Sequence, residues 1–258
     1  MDERCKQGLC SNCDEPYVRG HNKTCMTSCV IYIMSIMPMR DAARAACISR
    51  AFLSSWRCHP NLTLDWETLC PKAHRGKLRR KIDSILRNHS STMKILNLNL
   101  ADEYSTYPDI DRWLQVAVTQ GIEELTLTLH KEYSFPCSLL SGGVRDSIRS
   151  LRLRSCTFHP MAELGPWRRL TILDLCGVRI TGDEVECLLS NSLALEQLSL
   201  YDCSKISFLK IPCVQQQLRC LFVCSCWRLK VIACEAPNLS SITLLRRDEA
   251  LAWRSFDN

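Results

Sequence analysis

The chain has 258 residues, and 46% of them are hydrophobic, so it holds ample material for a folded core. It has 33 basic and 27 acidic residues, and the whole basic excess lies between Lys72 and Arg87, which leaves the rest of the chain neutral. The longest apolar run, residues 29–39, contains Pro38 and is far shorter than the roughly 20 residues that a membrane-spanning helix needs. The P-loop, G-x-G-x-x-G and H-E-x-x-H motifs are absent. These features exclude a membrane segment and favour a protein without catalytic residues.

Cysteine is abundant, with 18 residues in all, and five of them lie in residues 1–29. We predict residues 1–28 to be a disordered Cys-rich leader, in which a C-x2-C-x7-H-x3-C pattern is formed by Cys10, Cys13, His21 and Cys25. The pattern resembles the zinc knuckle of retroelement Gag proteins, spaced C-x2-C-x4-H-x4-C, and zinc bound there would make the chain a nucleic-acid binder. Because the gap before the histidine is longer than in that family, we favour unliganded thiols and expect no metal or other cofactor.

Residues 29–68 are predicted to form a small helical domain. Pro38 cannot continue a preceding helix, and Asp41 suits the positive end of the next one. The segment resembles an F-box, in which a first helix ends in Leu-Pro, a second begins with a charged pair, and a third stretch reads Val-Cys-Arg-x-Trp. The corresponding residues are Met37 and Pro38, then Arg40 and Asp41, then Ile48, Ser49, Arg50 and Phe52. The start of the F-box is truncated, since its usual opening Leu-Pro pair is replaced by Met26 and Thr27.

Residues 69–92 are predicted to be a basic helical connector. Seven basic residues between positions 72 and 87 accompany one acidic residue, while Leu78, Ile82, Ile85 and Leu86 recur at helical spacing. A basic stretch can mark a phosphate-binding footprint. The apolar spacing favours instead an amphipathic helix whose basic residues form its solvated face.

Residues 93–258 repeat one phrase seven times: an apolar residue, two others, an apolar residue, one other and an apolar residue. Successive copies begin 29, 26, 22, 25, 23 and 21 residues apart, which is typical of leucine-rich repeats. The last two apolar positions are two residues apart and therefore share one face of a strand. The copies begin at Met93, Ile122, Ile148, Leu170, Leu195, Leu218 and Leu239.

Two further signals support the repeats. Three repeats carry Cys156, Cys203 or Cys226 just after the strand, where a buried thiol can donate weakly to loop carbonyls. Thr181 and Glu184 have the spacing of a capping box and predict a helix between two strands. The predicted fold is therefore mixed α/β: a short helical F-box-like element followed by a solenoid of about seven leucine-rich repeats.

This order of elements resembles the plant F-box/leucine-rich-repeat proteins. The resemblance implies a substrate-recognition subunit of a Skp/cullin/F-box ubiquitin ligase, whose F-box binds a Skp-type adaptor, and through it a cullin, while its repeats hold an unknown protein target. It implies no catalytic residues. The alternatives are a leucine-rich-repeat binding module with a decayed F-box, and the zinc-knuckle nucleic-acid binder. Because no secretory signal precedes the cysteines, we expect free thiols in the nucleus or cytoplasm and no membrane partner.

The resemblance also predicts two sets of binding residues. The adaptor-binding candidates are Ile33, Ile36, Met37, Pro38, Ile48, Ser49 and Phe52. Target-binding candidates are the residues between the apolar positions of the strands, on the concave side of the solenoid. They are Asn97, Asn99, Thr126, Thr128, Arg152, Arg154, Asp174, Ser199 and Phe222.

Overall fold

A computed structural model describes residues 21–69, 77–100, 107–119, 121–129, 132–160, 165–245 and 252–255, with only the backbone for 21–28, 107 and 252–255. The chain divides into two compact units. The helical unit comprises the residues up to 61 together with 87–91, and the sheet unit comprises residues 62–86 and those from 92 onward. None of the described helices combines the length and apolar character needed to cross a membrane.

The helical unit contains α1 (His21–Ile36), α2 (Met39–Ala46) and α3 (Arg50–Trp56), and α3 packs on both of the others. Pro38 separates α1 from α2, because proline has no N–H with which to extend the preceding helix. Ser49 caps α3 by accepting a hydrogen bond from the backbone N–H of Phe52. The core includes small side chains that let the helices approach closely, together with two methionines. The buried apolar residues are Met34, Met39, Ala42 and Ala46.

His59 follows α3 in the helical unit, and its polar side chain is buried. Its Nδ1 accepts a hydrogen bond from the backbone N–H of Asn61 at 3.1 Å, and its backbone carbonyl lies 3.0 Å from Nε2 of His89. Burial lowers the pKa of the His59 imidazole below its ordinary value, because desolvation penalises the charged ring. His59 is therefore held in its neutral form.

The sheet unit is built on an eight-stranded sheet in the order β1-β2-β3-β4-β5-β6-β8-β10. Parallel pairing joins each strand from β2 to β10 to its neighbour in this sheet. Each predicted copy of the repeated phrase contributes one strand, and β1 is an additional strand. The strands are β1 (Asn61–Leu64), β2 (Ile95–Asn99), β3 (Glu124–Thr128), β4 (Ser150–Arg154), β5 (Ile172–Cys176), β6 (Gln197–Tyr201), β8 (Cys220–Cys224) and β10 (Ser241–Leu245).

The core beneath this sheet contains a row of leucines aligned by the strand register, as the period-two pattern predicts. Leu125, Leu151, Leu173 and Leu198 lie directly opposite one another on successive strands, and none of them is exposed to solvent. Burying one such side chain stabilises the fold by about 1.5–3 kcal/mol. Because each leucine contacts only neighbouring coils, the core grows by addition of one coil at a time.

Helices and a second sheet form the connectors between these strands. The helices are α4 (Trp66–Leu69), α5 (Lys77–Asn88), α6 (Tyr107–Ala117), a 3-10 helix (Cys137–Leu140), α7 (Gly143–Ser147) and α8 (Gly182–Ser190). The second sheet is parallel, in the order β11-β9-β7, and was not predicted. Its strands are β7 (Phe208–Ile211), β9 (Val231–Cys234) and β11 (Ala252–Ser255).

The capping box predicted at α8 is confirmed: the Thr181 side chain accepts from the Glu184 N–H, and the Glu184 carboxylate accepts from the Thr181 N–H. The helix then packs on β7. A Cβ added at Gly182 would fall on the backbone carbonyl of Phe208, so only glycine allows this approach. The close contact fixes α8 against the second sheet.

The chain turns immediately after four successive strands of the large sheet, at a residue with positive φ. Its value is 52° at Ser155, 62° at Gly177, 51° at Asp202 and 56° at Ser225. The N–H of each turning residue still donates to a carbonyl of the next coil. The turn therefore extends the ladder of hydrogen bonds while redirecting the chain toward the connectors.

Candidate functional site

The solvent-facing side of the large sheet, which we call the open face, consists of the first, third and fifth residues of strands β2–β6, β8 and β10. These positions alternate with the buried leucines, so their side chains point away from the core. All nine predicted target-binding residues lie on this face. The third residues form one row across the sheet, and the fifth residues form another. The first row contains Asn97, Thr126, Arg152, Asp174, Ser199 and Phe222; the second begins with Asn99, Thr128 and Arg154.

Strand pairing continues the second row with four residues that the sequence analysis did not identify. They are Cys176, Tyr201, Cys224 and Leu245. Tyr201 is 44% exposed, while the two thiols are half-buried. Cysteine and tyrosine are also common core residues, but their shared row with Arg154 assigns these side chains to the open face. The face therefore changes from amides and hydroxyls on β2 and β3 to aromatic and thiol groups on β6 and β8.

Charged groups on the open face are concentrated at its centre. Arg154 on β4 lies 3.9 Å from the carboxylate of Asp174 on β5, and Arg152 lies directly beside Asp174 in the register. Among the residues that the structure describes, the buried Nε of Arg152 has no hydrogen-bond partner. Arg154 is thus the arginine that pairs with Asp174, at the limit of ion-pair distance.

The helical unit presents a second surface, which is apolar. Ile48 is 78% exposed and Ile36 is 65% exposed, although isoleucine is among the residues most often buried. An exposed group of large apolar side chains is typical of a protein-interaction site. The predicted adaptor-binding residues Ile33 and Pro38 are exposed, Met37 and Phe52 are half-buried, and Ser49 is exposed while its side chain caps α3. Tyr32 adds a further exposed ring that the sequence analysis did not identify.

Comparison with known proteins identifies the repeat region. The family model of the At1g61320/AtMIF1 leucine-rich-repeat domain matches residues 85–255, about two thirds of the chain. The chain belongs to this family. The resemblance to plant F-box/leucine-rich-repeat proteins is thereby confirmed.

Relatives of this family member come from Arabidopsis thaliana. F-box/FBD/LRR-repeat protein At1g13570 is 28% identical over 65% of this chain and 41% of its own length. Putative FBD-associated F-box protein At5g56560 is 29% identical over 60% of the chain and 36% of its own length. F-box/LRR-repeat protein At3g03360 is 24% identical over 85% of the chain and 46% of its own length. The alignments thus cover less than half of each relative.

The buried thiols of this leucine-rich-repeat domain have structural roles. Cys203 donates to the carbonyls of Leu175 and Tyr201 at 3.4 and 3.6 Å, and Cys226 donates to Leu200 at 3.7 Å. The thiols were predicted to donate to loop carbonyls, but these acceptors belong to strands β5 and β6. Burial raises the pKa of Cys156 to about 12, so this thiol stays protonated at neutral pH.

Cys137 lies near His159 and Glu184, a combination of residue types that can form a nucleophile site. The geometry does not support that role. Its thiol donates to the backbone carbonyl of His159 at 3.1 Å, whereas the His159 ring is 2.7 Å from the Glu184 carboxylate. The pKa of Cys137 is raised to about 11, chiefly by burial, and the nearby Glu184 charge acts in the same direction. Both effects oppose formation of the reactive thiolate.

The basic connector of this family member is the amphipathic helix that the sequence predicted. Leu78, Ile82 and Leu86 are buried on one face of α5. On the other face, Arg79 donates to the buried carboxylate of Asp109 on α6 at 2.8 Å. Part of the positive charge thus joins two helices of the sheet unit.

The candidate zinc ligands lie in residues 1–28, which were predicted to be a disordered leader, although α1 begins at His21 and makes residues 21–28 helical. Cys10 and Cys13 lie outside the described residues. His21 and Cys25 lie in α1, in the part whose side chains the structure does not describe. Zinc binding at these residues stays a prediction.

Proposed function

We propose that this chain is the substrate-recognition subunit of a Skp/cullin/F-box ubiquitin ligase. The helical unit binds a Skp-type adaptor, which connects it to a cullin, and the open face of the sheet binds the protein target. Such a subunit needs no catalytic residue, because it accelerates ubiquitin transfer by holding the target close to the enzyme. This function places the protein in the nucleus or the cytoplasm.

The observation that carries the proposal is the exposed apolar surface of the helical unit. Ile33, Ile36 and Ile48 are all exposed, and they occupy positions that resemble those of an F-box. Burial of one such side chain is worth about 1.5–3 kcal/mol, so a partner that covers several of them gains enough free energy for stable binding. The F-box and leucine-rich-repeat names of the relatives support the same assignment.

A leucine-rich-repeat binding module without a ligase link is the second candidate. The observation in its favour is the sequence Met26-Thr27 in place of the F-box Leu-Pro pair. Loss of one buried apolar anchor from an interface can cost about 2 kcal/mol or more. In this case the open face still binds a protein, but no adaptor joins the complex. The zinc-knuckle nucleic-acid binder, the third candidate, depends on Cys10 and Cys13.

Adaptor affinity separates the first two candidates. The full chain is titrated with a purified Skp-type adaptor by isothermal calorimetry, beside the variants Ile48→Asp and Met26-Thr27→Leu-Pro. Ile48→Asp should weaken binding about tenfold or more, because a charge would have to be buried in the interface. Val116→Asp is the matched control, since Val116 is 48% exposed on α6 of the sheet unit.

Binding by the native chain that is lost in Ile48→Asp and retained in Val116→Asp supports the ligase subunit. Binding by the Leu-Pro variant alone supports a decayed F-box. If neither the native chain nor the Leu-Pro variant binds the adaptor, the ligase assignment is wrong.

A further inference from the structure

The open face has an uneven charge distribution around β4 and β5. Arg152 and Arg154 both project from β4, whereas Asp174 is the acidic residue opposite them on β5. Asp174 lies within ion-pair distance of Arg154, and Arg152 Nε has no hydrogen-bond partner in the described part of the chain. The buried Nε is out of reach of a ligand, so an incoming carboxylate would bind the terminal guanidinium nitrogens of the half-buried Arg152 side chain. Glu124, the first residue of β3, is the other acidic residue of the open face, so the match to a carboxylate rests on the adjacency of Arg152 and Arg154 on β4 and not on an excess of positive charge.

The neighbouring part of the open face carries no charge. The residues of β6 and β8 that face solvent include Tyr201 and Phe222, with Ser199 and Cys224 beside them. Aromatic rings at the surface of a sheet provide large apolar contact areas with little loss of side-chain entropy. This region suits an apolar side chain, and the thiols next to the rings are compatible with it.

The two regions lie a fixed distance apart. Adjacent parallel strands are about 4.8 Å apart, so Tyr201 and Phe222 lie about 10 and 14 Å from Arg152 across the sheet. An extended peptide advances about 3.3 Å per residue. A peptide that crosses the strands therefore spans this separation in three to four residues.

We propose, on the basis of the proposed function, that the open face recognises an extended segment of the target protein with an acidic and an apolar anchor. Its Asp or Glu carboxylate binds the guanidinium groups of Arg152 and Arg154. An aromatic or large aliphatic side chain, three or four residues away, packs on Tyr201 and Phe222. Arginine suits the first contact, because its planar donors can bind both oxygens of one carboxylate. Asp174 disfavours a polyanion such as a nucleic acid, since it would repel additional negative charge.

The test uses the full chain and a phage-displayed library of random twelve-residue peptides. Enriched peptides are synthesised with a fluorescent label, and their affinities are measured by fluorescence polarisation. We expect peptides with Asp or Glu three or four positions from an aromatic or large aliphatic residue. Arg152→Gln and Phe222→Ser should each weaken binding about tenfold or more. Arg152→Lys and Phe222→Leu, which keep the charge and the apolar character, should restore part of the affinity.

Arg168→Gln and Leu193→Ser are matched controls at exposed positions outside the open face and should change the affinity less than about twofold, as contacts outside a hot spot do. Asn97→Ala and Thr128→Ala, on the polar part of the open face, are measured beside them. Circular dichroism establishes that each variant is folded. Enriched peptides that lack an acidic residue, or that bind Arg152→Gln as tightly as the native chain, overturn the proposal. So does a short oligonucleotide that binds the same face more tightly than the peptides.

The pattern of failure distinguishes this proposal from the proposed function. If binding depends on Asn97 and Thr128 instead, the open face remains the target site and only its stated chemistry is wrong. If binding depends on neither set, or if no peptide is enriched over an albumin-coated surface, the open face is not the target site. The ligase assignment is tested separately by adaptor binding and the Ile48→Asp variant.

Discussion

Replacement of Asp109 by Asn tests the charge network that joins α5 to α6. The Asp109 side chain is only 5% exposed, and its Oδ1 accepts hydrogen bonds from Arg79 at 2.8 Å and from Arg112 at 3.2 Å. A hydrogen bond to a charged group contributes about 1.5–3 kcal/mol. Asn retains an oxygen acceptor, and both arginines are about half exposed and can be rehydrated, so we discount the sum of the two bonds. The expected loss in the free energy of unfolding is about 2 kcal/mol.

Thermal unfolding followed by tryptophan fluorescence measures this loss. For a chain of this size, a loss of about 2 kcal/mol lowers Tm by about 4–8 °C. Hydrogen exchange should become faster in α5 and α6, because these are the helices that the network connects. The control is Asp183→Asn, which makes the same chemical change at an exposed position of α8 and should cost less than about 1 kcal/mol. A variant Tm within one degree of the native value, with unchanged exchange in α5, would refute this reasoning.

Two further predictions concern the backbone contact at α8 and the buried histidine. Gly182→Ala should lower the free energy of unfolding by about 1–3 kcal/mol, because its Cβ meets the Phe208 carbonyl; a urea midpoint equal to the native one would contradict this. The helical unit should lose stability as the pH falls below about 6.5, since the unfolded state then protonates His59 more readily than the folded state does. His59→Gln should reduce the difference between urea midpoints at pH 7.5 and 5.5, and an unchanged difference would assign the effect to other groups.

The sequence predicted the strands of the large sheet because the apolar phrase occurs seven times at nearly constant spacing. β1 was missed, although Leu62 and Leu64 have the correct separation and are buried. The first position of the phrase, three residues before Leu62, is occupied by His59, which is buried but polar. A search for apolar residues alone does not find this strand. The strands β7 and β9 were missed for another reason: each has four residues, which is too short for a period of two to be distinguished from a helix or turn.

The candidate site was predictable to the extent that alternation in a strand separates core from surface. This rule assigned Arg152 and Phe222 to the open face. It applies equally to Tyr201, which has the same repeat position as Arg154, but tyrosine is also a common core residue and was not selected. The rule does not apply to the helical unit, because alternation is a property of strands and α1 is a helix. There Met34 is buried while Ile33 beside it is exposed. Both are large apolar residues at consecutive positions, and only the packing of α1 against α3 distinguishes them. The exposed apolar surface of the helical unit could therefore be identified only from the structure.

The alternation of leucines with open-face residues also bears on how such proteins can be altered. Within each strand, open-face residues alternate with residues that contribute to the core, so surface chemistry and core packing fall on different side chains. The open-face residues of a relative could therefore be grafted onto this chain without repacking its interior. A chimaera made in this way should keep the thermal stability of its scaffold while acquiring the peptide preference of its donor.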